Sequence, residues 1–154
     1  MQTGLHPGRA GSRQGIIITS QAIWPKCWKG DHLTDDVILE TGQPANALYF
    51  LISGNVLYYY IVTTDNNPNY RKEYFIDDIS PGEIFGISAL IEPYQYTATI
   101  RVDKSCRVIR IDANALRDLC REDDALCKGF LTAVAKASME RLENTRVRLV
   151  AAQS

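Results

Sequence analysis

At 154 residues, 45% hydrophobic and 23% charged, the chain is long enough to bury the core of a single domain and polar enough to be globular. Its formal net charge of −1, from 17 Lys and Arg against 18 Asp and Glu, excludes a global field that would draw it onto nucleic acid or an anionic membrane. The four cysteines, at 27, 106, 120 and 127, have no C-x-x-C spacing and fit neither a zinc site nor an iron–sulfur cluster; with no apolar h-region after a basic start, free thiols in a reducing cytoplasm are the expectation.

In chain order, Met1 to Gln14 has almost nothing to bury and is expected to be a disordered, mildly basic lead-in; Arg9 and Arg13 are weak grounds for a nucleic-acid arm. Gly15 to Thr19 has strand composition. Trp24 and Trp28 flank Pro25 and are expected to pack over the core edge, with ligand stacking the alternative. From Asp36 the pattern turns to β. Val37 to Glu40 predicts a strand, Thr41 to Pro44 a turn, Leu48 to Ser53 a second strand, Gly54-Asn55 a sharp turn, and Val56 to Thr63 a third strand. The most apolar window, Ala47 to Val62, is interrupted at Ser53-Gly54-Asn55, so it reads as two strands and not as a membrane span. Asp65 to Asn69 is loop sequence, predicting a hairpin of Leu57–Thr63 with Tyr70–Ile76. Tyr58 and Tyr60 share one face of their strand; a stacking platform for nucleic acid would need more interleaved cations than Arg71 and Lys72 supply.

The stretch from Pro81 to Thr99, PGEIFGISALIEPYQYTAT, carries the strongest local signal. Gly82 and Gly86 permit turns, and Ser88 to Ile91 can form a short helix stopped by Pro93. A glycine followed by a helix N-terminus can present backbone N–H groups to an anion; the alternative is a plain strand-to-strand connection. Tyr96 to Val102 and Cys106 to Ile111 predict two further strands around an Asp103-Lys104-Ser105 turn. Tyr96, Ala98 and Ile100 lie on one face and Thr97, Thr99 and Arg101 on the other. Asp112 is placed to cap a helix, and Asp123 or Asp124 to cap a last helix running toward Ala151. Along that helix Leu131, Ala135, Ser138, Leu142, Thr145 and Leu149 form a coiled-coil-like seam, whereas Arg141, Arg146 and Arg148 read as a solvated face.

PGEIFGISAL followed by YTAT resembles the phosphate-binding cassette of the cyclic-nucleotide-binding domain, the sensor half of the Crp/Fnr regulators. Gly82, Glu83, Phe85, Gly86, Ala89, Leu90, Thr97 and Ala98 match the pattern. The family's acid for the ribose hydroxyl falls at Ile87, and its arginine for the cyclic phosphate falls at Tyr96. Gly42 and Gly54, in ETGQPANALYFLISGNVLYYY, resemble the strand-ending glycines of the same family. SALIEPYQYTAT, IDANALRDLCREDD and ERLENTRVRLVA resemble a group of short bacterial members that lack the acid and arginine together.

The resemblance implies an α+β, mainly β fold: a double-stranded β-helix, or jelly-roll-like β-roll, over residues 15–123, with short helices and a long C-terminal helix over 124–154. It implies a ligand site built from Phe85, Gly86, Ile87, Ser88, Ala89, Leu90, Tyr96, Thr97, Ala98 and, reaching from the last helix, Thr145. The ligand would be a cyclic nucleotide or another small anion. Losing the arginine removes a charge-assisted pair of roughly 1.5–3 kcal/mol, and residues 83–100 hold two acids and no base. Tight, ordinary binding of cAMP or cGMP is therefore not expected, while hydrogen bonds from Ser88 and Tyr96 stay open. The implied assembly is a homodimer through the C-terminal helix, with a small molecule or a regulatory protein as partner. The alternative is a protein-interaction module whose pocket is filled by Ile87, Tyr94 and Tyr96. The chain stops where the family's DNA reader would begin, so none is expected within it. Enzymatic activity is not expected either, because His6 and His32 are too few for a cupin-like metal site.

Overall fold

A computed structural model of the protein describes residues 23–154; the strand expected at 15–19 and the lead-in lie outside the described residues. The architecture is antiparallel β with two C-terminal helices. Strands β1 (Cys27–His32), β2 (Val37–Leu39), β3 (Ala47–Thr64), β4 (Asn67–Ile79), β5 (Ile84–Phe85) and β6 (Thr99–Asp112) precede α1 (Ala113–Glu122) and α2 (Asp124–Ala152). Single turns of 3-10 helix stand at Trp24–Lys26 and Ile87–Leu90. The sheet order is β1-β6-β3-β4, with β2 added to β6 and β5 to β3. This is the predicted β-roll.

The backbone of the roll is the pair β3–β6, in register from Ala47 opposite Asp112 to Tyr59 opposite Thr99. Both strands are continuous. The turns predicted at Gly54-Asn55 and at Asp103-Lys104-Ser105 do not form; the two segments face each other, and the register shifts between Leu51 and Val56. The residues that signal a turn serve equally for a bulge, in which the strand bends without reversing. Gly54 sits there at φ 90°, and a Cβ on it would lie 2.5 Å from the Ser105 carbonyl oxygen and 2.7 Å from the Cys106 Cα. Only glycine lets the strands approach so closely. The predicted β3–β4 hairpin does form, with Tyr59 opposite Phe75 and Thr63 opposite Arg71.

Strand β1 was not legible in the sequence, which turns to β only from Asp36. Its CWKGDH run has poor strand propensity, yet it pairs along β6 from Cys27 opposite Ile111 to His32 opposite Cys106. Edge pairing overrides local preference here. Trp28, expected over the core edge, is instead exposed and stacks 5.7 Å from the Arg110 guanidinium.

The core is the inward face of the roll: Leu48, Leu51, Val56, Ile79, Ile84, Phe85, Ile100, Val102, Val108 and Ile111 are buried, and Leu116 of α1 closes one end. Tyr49 and Phe85 stack with centroids 4.9 Å apart. Asp112 caps α1 by accepting from the Ala115 N–H at 2.8 Å, and Asp123 caps α2 by accepting from the Leu126 N–H at 3.0 Å, as predicted. Helix α2 lays Leu126, Phe130, Ala133, Val134 and Ala137 on the roll. The predicted seam is a different face, and Leu131, Ala135, Ser138, Leu142, Thr145 and Leu149 are all exposed. No described helix is long and apolar enough to cross a membrane.

Candidate functional site

The turn between β4 and β5, which leads into the cassette, is held to β3. The Gly82 N–H donates to the Leu51 carbonyl at 2.8 Å and the Leu51 N–H to the Glu83 carbonyl at 3.0 Å. Glu83 spends its carboxylate on the turn, accepting from the Ser80 N–H at 2.8 Å. Gly86 then takes the left-handed conformation, φ 73° and ψ 33°, and starts the one-turn helix. A Cβ at Gly86 would stand 3.0 Å from the Ala47 carbonyl oxygen, a tight contact, and the positive φ favours glycine independently. Within the turn the Ala89 N–H donates back to the Gly86 carbonyl at 3.1 Å.

Above this segment lies a cavity of about 260 Å³. Phe85, Gly86, Ile87 and Ser88 line it from the cassette, and Tyr96, Thr97 and Ala98 from the approach to β6. Seven of the ten residues expected at the site thus come together. Of the others, Ala89 is buried and Leu90 packs against the core, neither lining the cavity. Thr145 is exposed and donates to the Arg141 carbonyl of its own helix at 2.7 Å. Ser138 and Arg141, two turns and one turn earlier, line the cavity in its place. Leu39, Tyr58, Ile91 and Ile100 complete the wall.

Tyr96 does not offer its hydroxyl to the cavity. The hydroxyl donates to the Ala47 carbonyl at 2.6 Å and accepts from the Ala47 N–H at 3.2 Å, and burial pushes its pKa up to about 12. What faces the cavity is the ring. Tyr94, expected as a possible plug, is not in the wall; it stacks under the Arg117 guanidinium at 3.8 Å. β6 begins at Thr99 and not at Tyr96, and Thr97, expected on the face of Arg101, lines the cavity beside Tyr96; Arg101 does not line it and places its two terminal nitrogens 3.1 and 3.2 Å from the Glu73 carboxylate. That pair lowers the Glu73 pKa and raises that of Arg101.

Two arginines escape a reading of the sequence. Arg117 of α1 donates to the Ala89 carbonyl at 2.8 Å and the Ala45 carbonyl at 2.9 Å, and its third contact is the Asn114 side chain at 3.0 Å. It clamps the cassette from outside the cavity. Arg141 belongs to the set read as a solvated face, and that reading is wrong for it. It is partly buried, donates from Nη2 to the Ile84 carbonyl at 2.6 Å, and lies 5.6 Å from the Tyr58 ring. Burial pulls its guanidinium below the ordinary arginine pKa. A signal was present: Arg141 follows Ala137 by four residues and continues the stripe Phe130, Ala133, Ala137 that α2 lays on the roll. Arg148, farther out, covers the Phe75 ring at 4.5 Å.

Comparison with known proteins agrees with this geometry. Residues 32–123 match the family model of the cyclic nucleotide-binding domain. A candidate cyclic nucleotide-binding protein from Geobacter metallireducens GS-15 is 30% identical and superposes with a TM-score of 0.65, over 78% of this chain and 82% of that one. A cyclic nucleotide-binding domain from Methylobacillus flagellatus KT shares the fold at 17% identity and a TM-score of 0.67, over 82% and 67% of the two chains. The c-di-GMP responsive global regulator CLP of Xanthomonas campestris does so at 22% identity and 0.66, the match spanning 82% of this chain but 59% of the regulator. No curated protein sequence matches the chain significantly. With more than half its length matched and the roll, cassette and closing helix in place, the chain belongs to the cyclic nucleotide-binding domain family.

Proposed function

We propose that the chain is a ligand-responsive sensor domain whose cavity takes a small anionic molecule, and that it does not hold cAMP or cGMP in the family's usual way. One observation carries this reading. At the position of the cassette arginine stands Tyr96, a buried ring whose hydroxyl is committed to Ala47, and at the position of the cassette acid stands Ile87. The cassette thus brings no formal charge to the cavity wall. The two contacts that would fix a cyclic phosphate and a ribose hydroxyl are gone, and their loss costs about ten- to a hundredfold in affinity for each charge-assisted pair.

The cavity itself favours a sensor over an interaction module with a filled pocket. Ile87 and Tyr96 line it without occupying it, and Tyr94 is turned away to Arg117. Its volume is near the lower end for small-molecule sites. Ligand contact with residues of α2 would favour one position of that helix over another, a population shift of the kind sensors transmit. The exposed seam of Leu131, Leu142 and Leu149 supports a second role of the same helix, pairing with a second copy of the chain.

Titration calorimetry with cAMP, cGMP and cyclic di-GMP tests the reading, the last probe chosen because the Xanthomonas relative is c-di-GMP responsive. Absent or very weak heat from the two mononucleotides at high micromolar concentration is the expected result. Low-micromolar binding of cAMP or cGMP overturns it. Light scattering on the wild type and on Leu142→Lys tests the dimer, with loss of the larger species expected in the variant.

A further inference from the structure

We propose that the anion-binding group of this cavity is Arg141, supplied by helix α2 and not by the cassette, and that it selects a ligand with a single negative head group on an apolar body. The inference rests on the sensor reading above and names the chemistry of the same cavity.

The charge inventory is the first argument. Arg141 is the one formally charged residue in the cavity wall among the described residues; everything else there is apolar, aromatic or hydroxyl-bearing. No carboxylate lies within ion-pair distance of it among the described residues. Glu83, Asp77 and Glu140 are felt only at longer range, and the Asp77 carboxylate accepts from the Asn144 side chain at 2.7 Å. A partly buried cation whose charge is not matched nearby recovers its desolvation when an anion enters.

Donor geometry is the second. A guanidinium carries five N–H groups in a fixed plane. Arg141 gives one nitrogen to the Ile84 carbonyl, which fixes the head group at the cavity wall, and the Tyr58 ring flanks it. The remaining donors suit a carboxylate or phosphate oxygen pair. One cation and no acid match a monoanion better than a multiply charged ligand. The rings of Tyr58, Phe85 and Tyr96, with Leu39, Ile87 and Ile91, match an apolar body. In the family's cassette the ligand's charge is met by the strand after the short helix; here it would be met by helix α2.

The test uses the intact chain and two probes of nearly equal shape, the monoanion benzoate and its neutral analogue benzamide, read by the side-chain Nε resonance of Arg141 and by calorimetry. Benzoate is expected to bind, to shift the Arg141 resonance, and to bind at least about tenfold more tightly than benzamide. Arg141→Gln should weaken the anion about ten- to a hundredfold and leave the neutral probe unchanged, whereas Arg141→Lys, which keeps the charge but not the fork, should recover part of the loss. Failure of the anion to bind the wild type, equal binding of the two probes, or an Arg141 resonance that does not respond overturns the proposal without needing any variant to fold. If cAMP binds the wild type at low micromolar concentration, the sensor reading fails in its ligand. Loss of that binding in Arg141→Gln would still uphold the role of Arg141.

Discussion

The Tyr96 hydroxyl and the backbone of Ala47 form a closed exchange, the hydroxyl donating to the carbonyl at 2.6 Å and accepting from the N–H at 3.2 Å. Tyr96 therefore ties the entry of β6 to the start of β3 and turns only its ring to the cavity. Tyr96→Phe should destabilise the fold by about 1–3 kcal/mol, because it strands a buried donor and acceptor. Probe binding in the cavity should change little. Urea unfolding beside calorimetry separates the two effects, and a large loss of binding without loss of stability would assign the hydroxyl to the ligand instead.

Arg117 is expected to behave as a structural clamp. Its planar head reaches the carbonyls of Ala89 and Ala45 together and rests on Tyr94. Arg117→Lys keeps the charge but cannot span both carbonyls, so a loss of about 2 kcal/mol is expected in chemical denaturation. Full stability in the lysine variant would show that the fork is not what holds the cassette.

The Glu73–Arg101 pair sets a stability difference that depends on pH. Arg101 holds the folded-state pKa of Glu73 below its ordinary value. The contribution is therefore complete above the ordinary carboxylate range and is lost as the pH falls through the folded-state value. Glu73→Gln should cost about 1 kcal/mol at neutral pH, an upper range for a pair this exposed. Thermal melts should show that gap closing in acid; a gap that persists there would attribute it to packing.

Cys27 and Cys120 should be slow nucleophiles. All four cysteines are free, and burial pushes the Cys27 thiol up to about 11 and that of Cys120 up to about 12. For Cys120 a hydrogen bond with Cys127 adds to the effect, the two thiols meeting across the α1–α2 junction. Iodoacetamide at pH 8 should leave Cys27 and Cys120 unmodified in the native protein and alkylate them on unfolding, read by mass spectrometry, since only the thiolate reacts. Rapid native labelling of Cys120 would contradict the burial.

Gly54→Ala should be the most damaging of the small substitutions. It places a Cβ against the Ser105 carbonyl at a positive φ, and a loss of more than about 2 kcal/mol is expected in urea unfolding. A near-neutral effect would mean that β3 and β6 can separate there at little cost.

The sequence by itself determined local conformations, and the resemblance of PGEIFGISAL and YTAT to the family's cassette implied the roll. Period-two apolar runs, the loop sequence from Asp65 to Asn69 (of which Asn67 to Asn69 already belong to β4), the caps at Asp112 and Asp123, and the glycine-bounded PGEIFGISAL each bias backbone conformation within a few residues. Tertiary structure alone decided the rest. Gly54-Asn55 and Asp103 to Ser105 carry turn chemistry, and only their meeting across the β3–β6 ladder makes them bulges. Arg101, Arg117 and Arg141 are equally arginine on a string. Which one pairs with Glu73, which clamps the cassette and which faces the cavity depends on the element each is mounted on and what that element packs against. Which side chains meet at a cavity is long-range in sequence, and the guanidinium that lines this one lies 45 residues after Tyr96.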